Sequence, residues 1–321
     1  MTIERTASII VQDWLQVKQD EVFYFITDEN NIAEAHACLQ QAEQLGAVVK
    51  LSVLPKEKIQ DGKLLEEMRK IMSYANVIVG ATTYSFITTD AVQYALQHGA
   101  RFLSLPMATN TGASIFKDDF FNMDTKIAKK NAKRLIKLVK KANTLKATTD
   151  AGTSITFSKR GRKPGFFNGV AAKSGILTSS SFEVFIPVVE DSAEGCVVID
   201  GSLGYLGAVS APVHIEFHNG KIIKIDDSPD GKRLAAYVTS FNDDKMRAAS
   251  EFGIGLNELS QCCGRSYIED ESAAGTIHIG LGRNLALGGA YDAKGHFDIV
   301  MHKPTVFADD TKIISNGSII I

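Results

Sequence analysis

The alternation of strand and helix signals in the first 146 residues, and its loss afterwards, most constrains how this chain can fold. Apolar and β-branched runs, such as Glu21–Thr27, Val48–Leu54 and Arg101–Leu105, are separated by segments with helical patterning. Strands that alternate with helices are typical of parallel βαβ units. The sequence therefore predicts an α/β, Rossmann-like open-sheet domain over residues 1–146.

The pattern changes from residue 147 onward, where Thr, Ser, Gly and Val become more frequent. Short strand signals follow one another closely, among them Phe182–Val189, Gly275–Gly282 and His296–Met301, and one predicted helix, Asp243–Ser250, interrupts them. Closely spaced short strands favour antiparallel sheets. We therefore expect a β-rich (α+β) metal-binding domain over residues 147–321, and a length of 321 residues suits two domains.

A basic segment joins the two predicted domains. Residues Thr125–Thr149 contain nine Lys and Arg and no acid, and their apolar positions fall on one helical stripe. This pattern predicts an amphipathic helix with a solvated basic face, which we favour over a surface for nucleic acid or another acidic partner. The net charge of −2 gives no general attraction to nucleic acid or to an anionic membrane.

Several function classes have no signal in the sequence. The first 21 residues carry acids and amides early and lack a long apolar core, so we expect no signal peptide and a cytoplasmic protein. The chain contains neither G-x-G-x-x-G nor a P-loop, which leaves no obvious cradle for a nucleotide. The four cysteines form no C-x-x-C pair. No stretch approaches the length of a membrane span.

Two histidine segments of the second half suggest a metal site. His296 and Asp298 are two residues apart in a predicted strand, so both side chains point to one face. An imidazole beside a carboxylate suits a divalent metal. His278 lies in a second strand, where Thr276 and Gly280 are its neighbours on the same face. Side chains as small as these leave space beside the imidazole for an ion or a substrate.

Two glutamates complete the candidate metal site. Glu251 precedes an apolar, glycine-punctuated run, and Glu183 lies within an apolar strand. A buried carboxylate needs a partner or a metal. The predicted ligands are Glu183, Glu251, His278, His296 and Asp298. These nitrogen and oxygen donors fit Zn²⁺, Mn²⁺, Co²⁺ or Fe²⁺, and five of them suit two ions that share a carboxylate.

The order of these segments resembles a known family. FEVFIPVVEDSAEGCVVIDGS, SEFGIGLN, GTIHIGLG and GHFDIVM resemble the M29 metallo-aminopeptidases of the aminopeptidase T and leucyl aminopeptidase type, and the related 2,5-dihydroxypyridine dioxygenases. The likeness covers roughly residues 150–310. It implies an α/β domain, a β-rich domain with two metal ions held by the five residues named above, and a homodimer.

The chain departs from the peptidase pattern after the first histidine. A catalytic tyrosine follows that motif in the peptidases, whereas here the nearest tyrosine is Tyr291, and the stretch from His278 to His296 is short. In the related dioxygenase branch, the first metal-binding histidine replaces the glutamate of the E-F-G-I-G-like motif, which this chain keeps as Glu251. That branch implies one ferrous ion on two histidines and one aspartate, which His278, His296 and Asp298 could supply.

The favoured function is hydrolysis of an amide bond in a peptide or small-molecule substrate by metal-activated water. Glu251 or Glu183 would bridge the ions, Glu271 would act as general base and Tyr291 would assist the oxyanion. Glu271 belongs to the acidic run Glu269–Glu271, for which a solvated turn is predicted. The alternatives are a mononuclear non-haem Fe(II) ring-cleaving dioxygenase and a metal-free binding protein.

Overall fold

The structure is a computed structural model that describes residues 1–55 and 63–321. The chain divides into two compact units, of which the first contains residues 1–125 and 167–181 and the second contains residues 126–166 and 182–321. This division differs from the predicted boundary at residue 146. The basic helix supplies Ala132, Leu135 and Val139 to the core of the second unit, and residues 177–179 form a strand in the sheet of the first.

Regular elements of the first unit alternate along the chain as the sequence predicts. A π-helical turn, Ile9–Trp14, follows the first helix, and two 3₁₀ turns lie at Ile115–Lys117 and Asp119–Asn122. The helices and strands in chain order are α1 Ile3–Ser8, β1 Val22–Asp28, α2 Ile32–Gln44, β2 Val48–Leu54, α3 Lys63–Met72, β3 Val77–Ala81, α4 Asp90–Gln97 and β4 Arg101–Ser104.

The second unit begins with the helix and contains most of the strands. Its elements are α5 Thr125–Val139, β5 Thr144–Thr148, β6 Ser154–Ser158, β7 Gly165–Phe167, β9 Glu183–Pro187, β10 Glu194–Ile199, β11 Val213–His218, β12 Lys221–Ile225, α6 Pro229–Ser240, β13 Ala249–Gly255, α7 Tyr267–Ser272, β14 Thr276–Gly282, β15 His296–His302, β16 Thr305–Ala308, β17 Thr311–Ser315 and β18 Ser318–Ile319. Strand β8, Leu177–Ser179, belongs to the first unit. Three short 3₁₀ turns lie at Gly204–Leu206, Asp244–Arg247 and Leu285–Leu287.

One five-stranded parallel sheet organises the first unit. The strand order is β2-β1-β3-β4-β8, and each neighbouring pair is parallel. Strands β1, β3 and β4 are almost entirely buried, as expected for parallel strands that are covered on both faces. The predicted open α/β sheet is therefore present, with β8 added from a distant part of the chain.

Two sheets build the second unit. An eight-stranded sheet has the order β12-β11-β10-β6-β5-β16-β17-β18, and a five-stranded sheet has the order β15-β14-β13-β9-β7. All neighbours in the larger sheet are antiparallel, as are β15 to β9 in the smaller one. Apolar residues of both sheets and of α5 and α6 form one buried core. The fold is thus mixed α/β with several sheets.

Two helix predictions are wrong in their extent or position. The basic helix ends at Val139 instead of continuing to Thr149, because residues 144–148 pair with β6 and β16. The helix predicted at Asp243–Ser250 is a 3₁₀ turn followed by β13. The long helix of this region is α6, where Pro229 occupies the first turn and the Ser228 side chain accepts a hydrogen bond from Gly231 N–H.

No helix in the described residues combines the length and apolar character that crossing a bilayer requires.

Candidate metal centre

Alternation along four adjacent strands places polar side chains on one face of the smaller sheet. In β14, Ile277, Ile279 and Leu281 belong to the apolar core, so the intervening residues, including His278 and Gly280, face the opposite side. The same alternation applies to the neighbouring strands. Their residues on the polar face include Glu183 of β9, Glu251 of β13, and His296 and Asp298 of β15.

The first group of possible ligands consists of Glu183, Glu251 and His278. All three residues are buried, and their ligand atoms lie within 4.8 Å of one another. His278 Nε2 is 2.9 Å from Glu183 Oε2, while its Nδ1 is buried and has no hydrogen-bond partner in the described residues. The predicted first histidine therefore meets both predicted glutamates.

The second group consists of Glu251, His296 and Asp298, again with ligand atoms within 4.8 Å of one another. His296 Nε2 lies 3.1 Å from Glu251 Oε2 and 3.3 Å from Asp298 Oδ1. The other ring nitrogen, Nδ1, donates to the backbone carbonyl of Arg283 at 2.8 Å. This hydrogen bond fixes the ring orientation and directs Nε2 toward the carboxylates. Glu251 is common to both groups.

Two glycines on the polar face provide the space that these side chains occupy. A Cβ on Gly253 would lie 1.8 Å from His278 Nε2. A Cβ on Gly280 would lie 2.8 Å from Glu251 Cβ, 2.8 Å from His296 Cε1 and 3.0 Å from Asp298 Oδ1. Any larger residue at these positions would collide with the groups, since real Cβ contacts are essentially never shorter than 3.0 Å.

The electrostatics of the face favour a bound cation. Burial and the nearby Glu183 and Asp298 charges raise the pKa of Glu251. Burial alone would lower the pKa of His278, but the Glu183 charge and hydrogen bond raise it to about 9. Burial likewise opposes the charge on His296, whereas Asp298 and Glu251 raise the pKa of His296 well above its ordinary value. Buried acids outnumber the imidazoles here, and a metal cation would offset this excess negative charge.

Helix α7 brings two further side chains, Tyr267 and Glu271, to the same face. The prediction of a solvated turn at Glu269–Glu271 is therefore wrong. All six residues of α7 are buried. The Tyr267 hydroxyl donates a hydrogen bond to Asp298 Oδ2. Burial and the charges of Asp298, Glu183 and Glu251 raise the pKa of Glu271 well above its ordinary value. Glu271 therefore lies close enough to the two groups of possible ligands for their negative charges to shift its pKa.

The sequence contains a signal for this helix. Ser266 and Glu269 match the S-x-x-E pattern at a helix start, and two of the three acids of α7 have partners of their own. Glu269 pairs with Arg265, and Asp270 Oδ1 accepts the N–H groups of Cys263 and Gly264. Acids that are satisfied in this way can be buried within a helix.

Tyr291, the predicted oxyanion residue, has other contacts. Its backbone N–H donates to the Asn284 side chain, its carbonyl accepts from Asn284 N–H, and its half-buried ring lies 5.9 Å from Lys245 Nζ. The hydroxyl of another tyrosine, Tyr267, contacts the candidate ligand Asp298. The oxyanion role of Tyr291 stays a prediction, and the hydrogen bond to Asp298 makes Tyr267 a further candidate that the sequence did not indicate.

The burial of Asp270 can be tested by measuring how the stability of the protein depends on pH. Burial raises the pKa of Asp270 from its ordinary 3.8 to about 6, although its hydrogen bonds to Gly264 and Cys263 oppose the shift. The folded protein therefore binds more protons than the unfolded chain between these values, so the contribution of Asp270 to stability falls as pH rises from about 4 to 6. We expect Asp270→Asn to gain up to about 3 kcal/mol relative to the wild type over that range.

Urea unfolding of both proteins at pH 4.5, 5.5 and 7 measures this difference. Asp309→Asn is the control, because hydrogen bonds from Thr144 lower the pKa of Asp309 below its ordinary 3.8, so the difference in stability between that variant and the wild type should stay nearly constant over these pH values. A difference between Asp270→Asn and the wild type that stays constant with pH would contradict the expected burial.

Residues 13–321 match the sequence profile of a family described as 2,5-dihydroxypyridine 5,6-dioxygenase, NicX, whereas no curated protein sequence matches the chain. The structure of 2,5-dihydroxypyridine dioxygenase from Pseudomonas putida KT2440 is similar, with a TM-score of 0.82, 18% identity, and coverage of 99% of this chain and 96% of that one. Wild-type AmpT from Thermus thermophilus has a TM-score of 0.69, 14% identity and 99% coverage of both chains.

The fold is a mixed α/β architecture shared with the Pseudomonas putida dioxygenase and with AmpT, and the family match places the chain in a class of enzymes. Within that class, this chain belongs to the 2,5-dihydroxypyridine 5,6-dioxygenase family. The family resemblance inferred from the four sequence motifs is confirmed.

Proposed function

We propose that this protein is a metal-dependent dioxygenase that cleaves the ring of a dihydroxylated nitrogen heterocycle of the dihydroxypyridine type. One observation carries the proposal, namely that the family match runs from residue 13 to residue 321, a range that contains the positions of all five clustered side chains. The fold of the Pseudomonas putida dioxygenase, which extends over 99% of this chain, is consistent with it. This proposal reverses the preference for amide hydrolysis that the sequence alone favoured.

The residues of the site fit a divalent transition metal. Imidazole nitrogens and carboxylate oxygens suit Fe²⁺, Mn²⁺, Co²⁺ and Zn²⁺, and Gly253 and Gly280 keep the face free of side chains that would fill it. The residues of the two groups would hold the metal, with Glu183, Glu251 and His278 in the first and Glu251, His296 and Asp298 in the second. A ferrous ion bound there would supply the redox chemistry that adds dioxygen to an aromatic ring.

Glu271 is the chain's own candidate for proton transfer. The carboxyl group is buried, and burial together with the charges of Asp298, Glu183 and Glu251 raises its pKa well above its ordinary value. A carboxylate of raised pKa is a stronger base than an exposed one and is better matched to neutral pH. We assign to Glu271 the acceptance of a proton from a ring hydroxyl of the substrate.

A second function is favoured by one specific observation. The two histidines lie in separate groups that share Glu251, whereas a 2-His-1-carboxylate iron site needs both imidazoles on one ion. Two groups that share a carboxylate suit a pair of ions about 3.5–4 Å apart, as in two-metal hydrolases. Amide hydrolysis, with Glu271 as general base toward water, therefore remains the second candidate.

Metal identity and stoichiometry distinguish the two candidates. Protein purified without chelator under nitrogen should contain one iron per chain and consume one O₂ per 2,5-dihydroxypyridine, measured with an oxygen electrode and by loss of the substrate's absorbance. Two Zn, Co or Mn ions per chain, with chelator-sensitive release of p-nitroaniline from amino-acid p-nitroanilides, would instead support hydrolysis. His296→Ala should abolish either activity, and a chain that binds none of these metals would contradict both proposals.

A further inference from the structure

The hydroxyl of Tyr267 has a geometry that neither proposed reaction uses. Tyr267 begins helix α7 and is 6% exposed. Its ring stacks on Tyr205, with centroids 4.2 Å apart and an interplanar angle of 19°. Stacking of this kind restricts the ring to one orientation. The hydroxyl is therefore held in a fixed place, beside Asp298.

The two oxygens of Asp298 have different surroundings. Oδ2 accepts the hydrogen bond from the Tyr267 hydroxyl. Oδ1 points toward the second group of ligands, 3.3 Å from His296 Nε2, on the side where Gly280 leaves room. An oxygen that already accepts a hydrogen bond from a fixed donor is less available to a metal, so the geometry leaves Oδ1 as the ligand atom.

We propose that Tyr267 is a positioning residue that makes Asp298 a one-oxygen ligand, and that this selects small transition-metal ions over Ca²⁺. The inference rests on the proposed metal site. Ca²⁺ takes six to eight oxygens and often binds both oxygens of a carboxylate. Holding Oδ2 away from the ion removes that option, while Fe²⁺, Co²⁺ and Zn²⁺ need fewer ligands.

Tyr267→Phe removes the hydroxyl and keeps the ring that stacks on Tyr205. Partners that orient a metal ligand typically contribute 10–100-fold to metal affinity, so we expect Co²⁺ to bind the variant about 10–100-fold more weakly than it binds the wild type. Loss of the hydrogen bond frees Oδ2, so the visible absorption spectrum of the Co²⁺ protein should also change. The ratio of Ca²⁺ affinity to Co²⁺ affinity should rise.

Competition with a chromophoric chelator measures these affinities without any assay of activity. Tyr237→Phe is the matched control, since it removes a hydroxyl from a ring that packs on Phe241 and Phe297 in the same unit, and it should bind Co²⁺ as the wild type does. Tyr205→Leu keeps the Tyr267 hydroxyl but removes its ring support, so a smaller loss of Co²⁺ affinity is expected. This second variant tests the inference if Tyr267→Phe does not fold.

The outcomes separate this inference from the proposed function. The positioning role would be overturned, whatever the reaction is, if Tyr267→Phe matched the wild type in Co²⁺ affinity, in the spectrum of the Co²⁺ protein and in the ratio of Ca²⁺ affinity to Co²⁺ affinity. If the wild type binds Co²⁺ and the variant does not bind it well, the positioning role stands even when neither dihydroxypyridine nor an amide is turned over. A wild type that binds no Co²⁺ at all would overturn both.

Discussion

Replacing Glu251 by glutamine is expected to abolish metal binding and activity together. Glu251 is the one carboxylate that belongs to both groups of possible ligands, and it lies 3.1 Å from His296 Nε2. Glutamine has nearly the same shape, but it removes the negative charge that both groups share. We expect metal affinity to fall more than 100-fold, beyond the 10–100-fold loss typical of outer-sphere changes.

Metal analysis after dialysis against buffered Co²⁺, followed by the activity assays, checks this expectation. Glu258→Gln provides the matched control, because Glu258 is an exposed glutamate in the loop that follows β13, and its metal content should equal that of the wild type. If Glu251→Gln retained full metal content and turnover, Glu251 could not be the shared ligand.

Gly253→Ala is expected to have the second largest effect. The added Cβ would lie 1.8 Å from His278 Nε2 and 2.1 Å from Cε1, so the buried imidazole must turn away from Glu183, which it now approaches to 2.9 Å. Misplacing a catalytic group by about 1 Å can cost about 100-fold in rate, and overpacking costs about 1–3 kcal/mol in stability. We expect at least about 100-fold lower activity and loss of the metal held by His278.

The matched control is Ile254→Val, next along β13 on the opposite, core-facing side. That change should lower the free energy of unfolding by about 0.5–1.5 kcal/mol and leave the metal content unchanged. Thermal unfolding and metal analysis of the two variants together separate a general packing defect from displacement of the imidazole. Wild-type metal content and activity in a folded Gly253→Ala protein would contradict the assigned role of the glycine.

The convergence of the five polar residues was predictable because it depends on strand periodicity. His296 and Asp298 share a face as residues i and i+2 of a strand, and Gly280 lies beside His278 on the same face. The sequence predicts a carboxylate shared between two ions but does not decide whether Glu251 or Glu183 is shared, and in the structure Glu251 belongs to both groups. That arrangement depends on the pairing of β13 with β14 and β9, which includes a register shift near Glu251.

The sequence did not predict that α7 contributes buried side chains to the site, because the local composition favours exposure whereas the tertiary environment buries the helix. Three consecutive acids favour a solvated turn when only the sequence is considered, whereas Arg265 and the backbone N–H groups of Cys263 and Gly264 compensate two of them in the folded chain. Tyr291 was selected for its closeness in sequence to His278. Tyr267 reaches Asp298 across 31 residues of chain, through contacts that no local pattern encodes.

The extent of the basic helix was overestimated for a similar reason. Residues 140–149 continue the basic composition of α5, but Thr144–Thr148 pair with Thr305–Ala308, which lie far along the chain. The three-residue strand β8 likewise joins β4 from a distance. Distant pairing partners of this kind determine the local structure, and the periodicity of the local sequence does not predict them.

The position of the five polar side chains on four neighbouring strands has a consequence for how the second unit holds together. An ion bound by β9, β13, β14 and β15 would join segments that are widely separated in sequence, in the manner of a removable cross-link. Such an ion binds the assembled sheet and not the unfolded chain, so it adds about 2.7 kcal/mol of stability when its free concentration is 100 times Kd. The metal supply of the cell would then set the resistance of this unit to unfolding as well as its catalytic state.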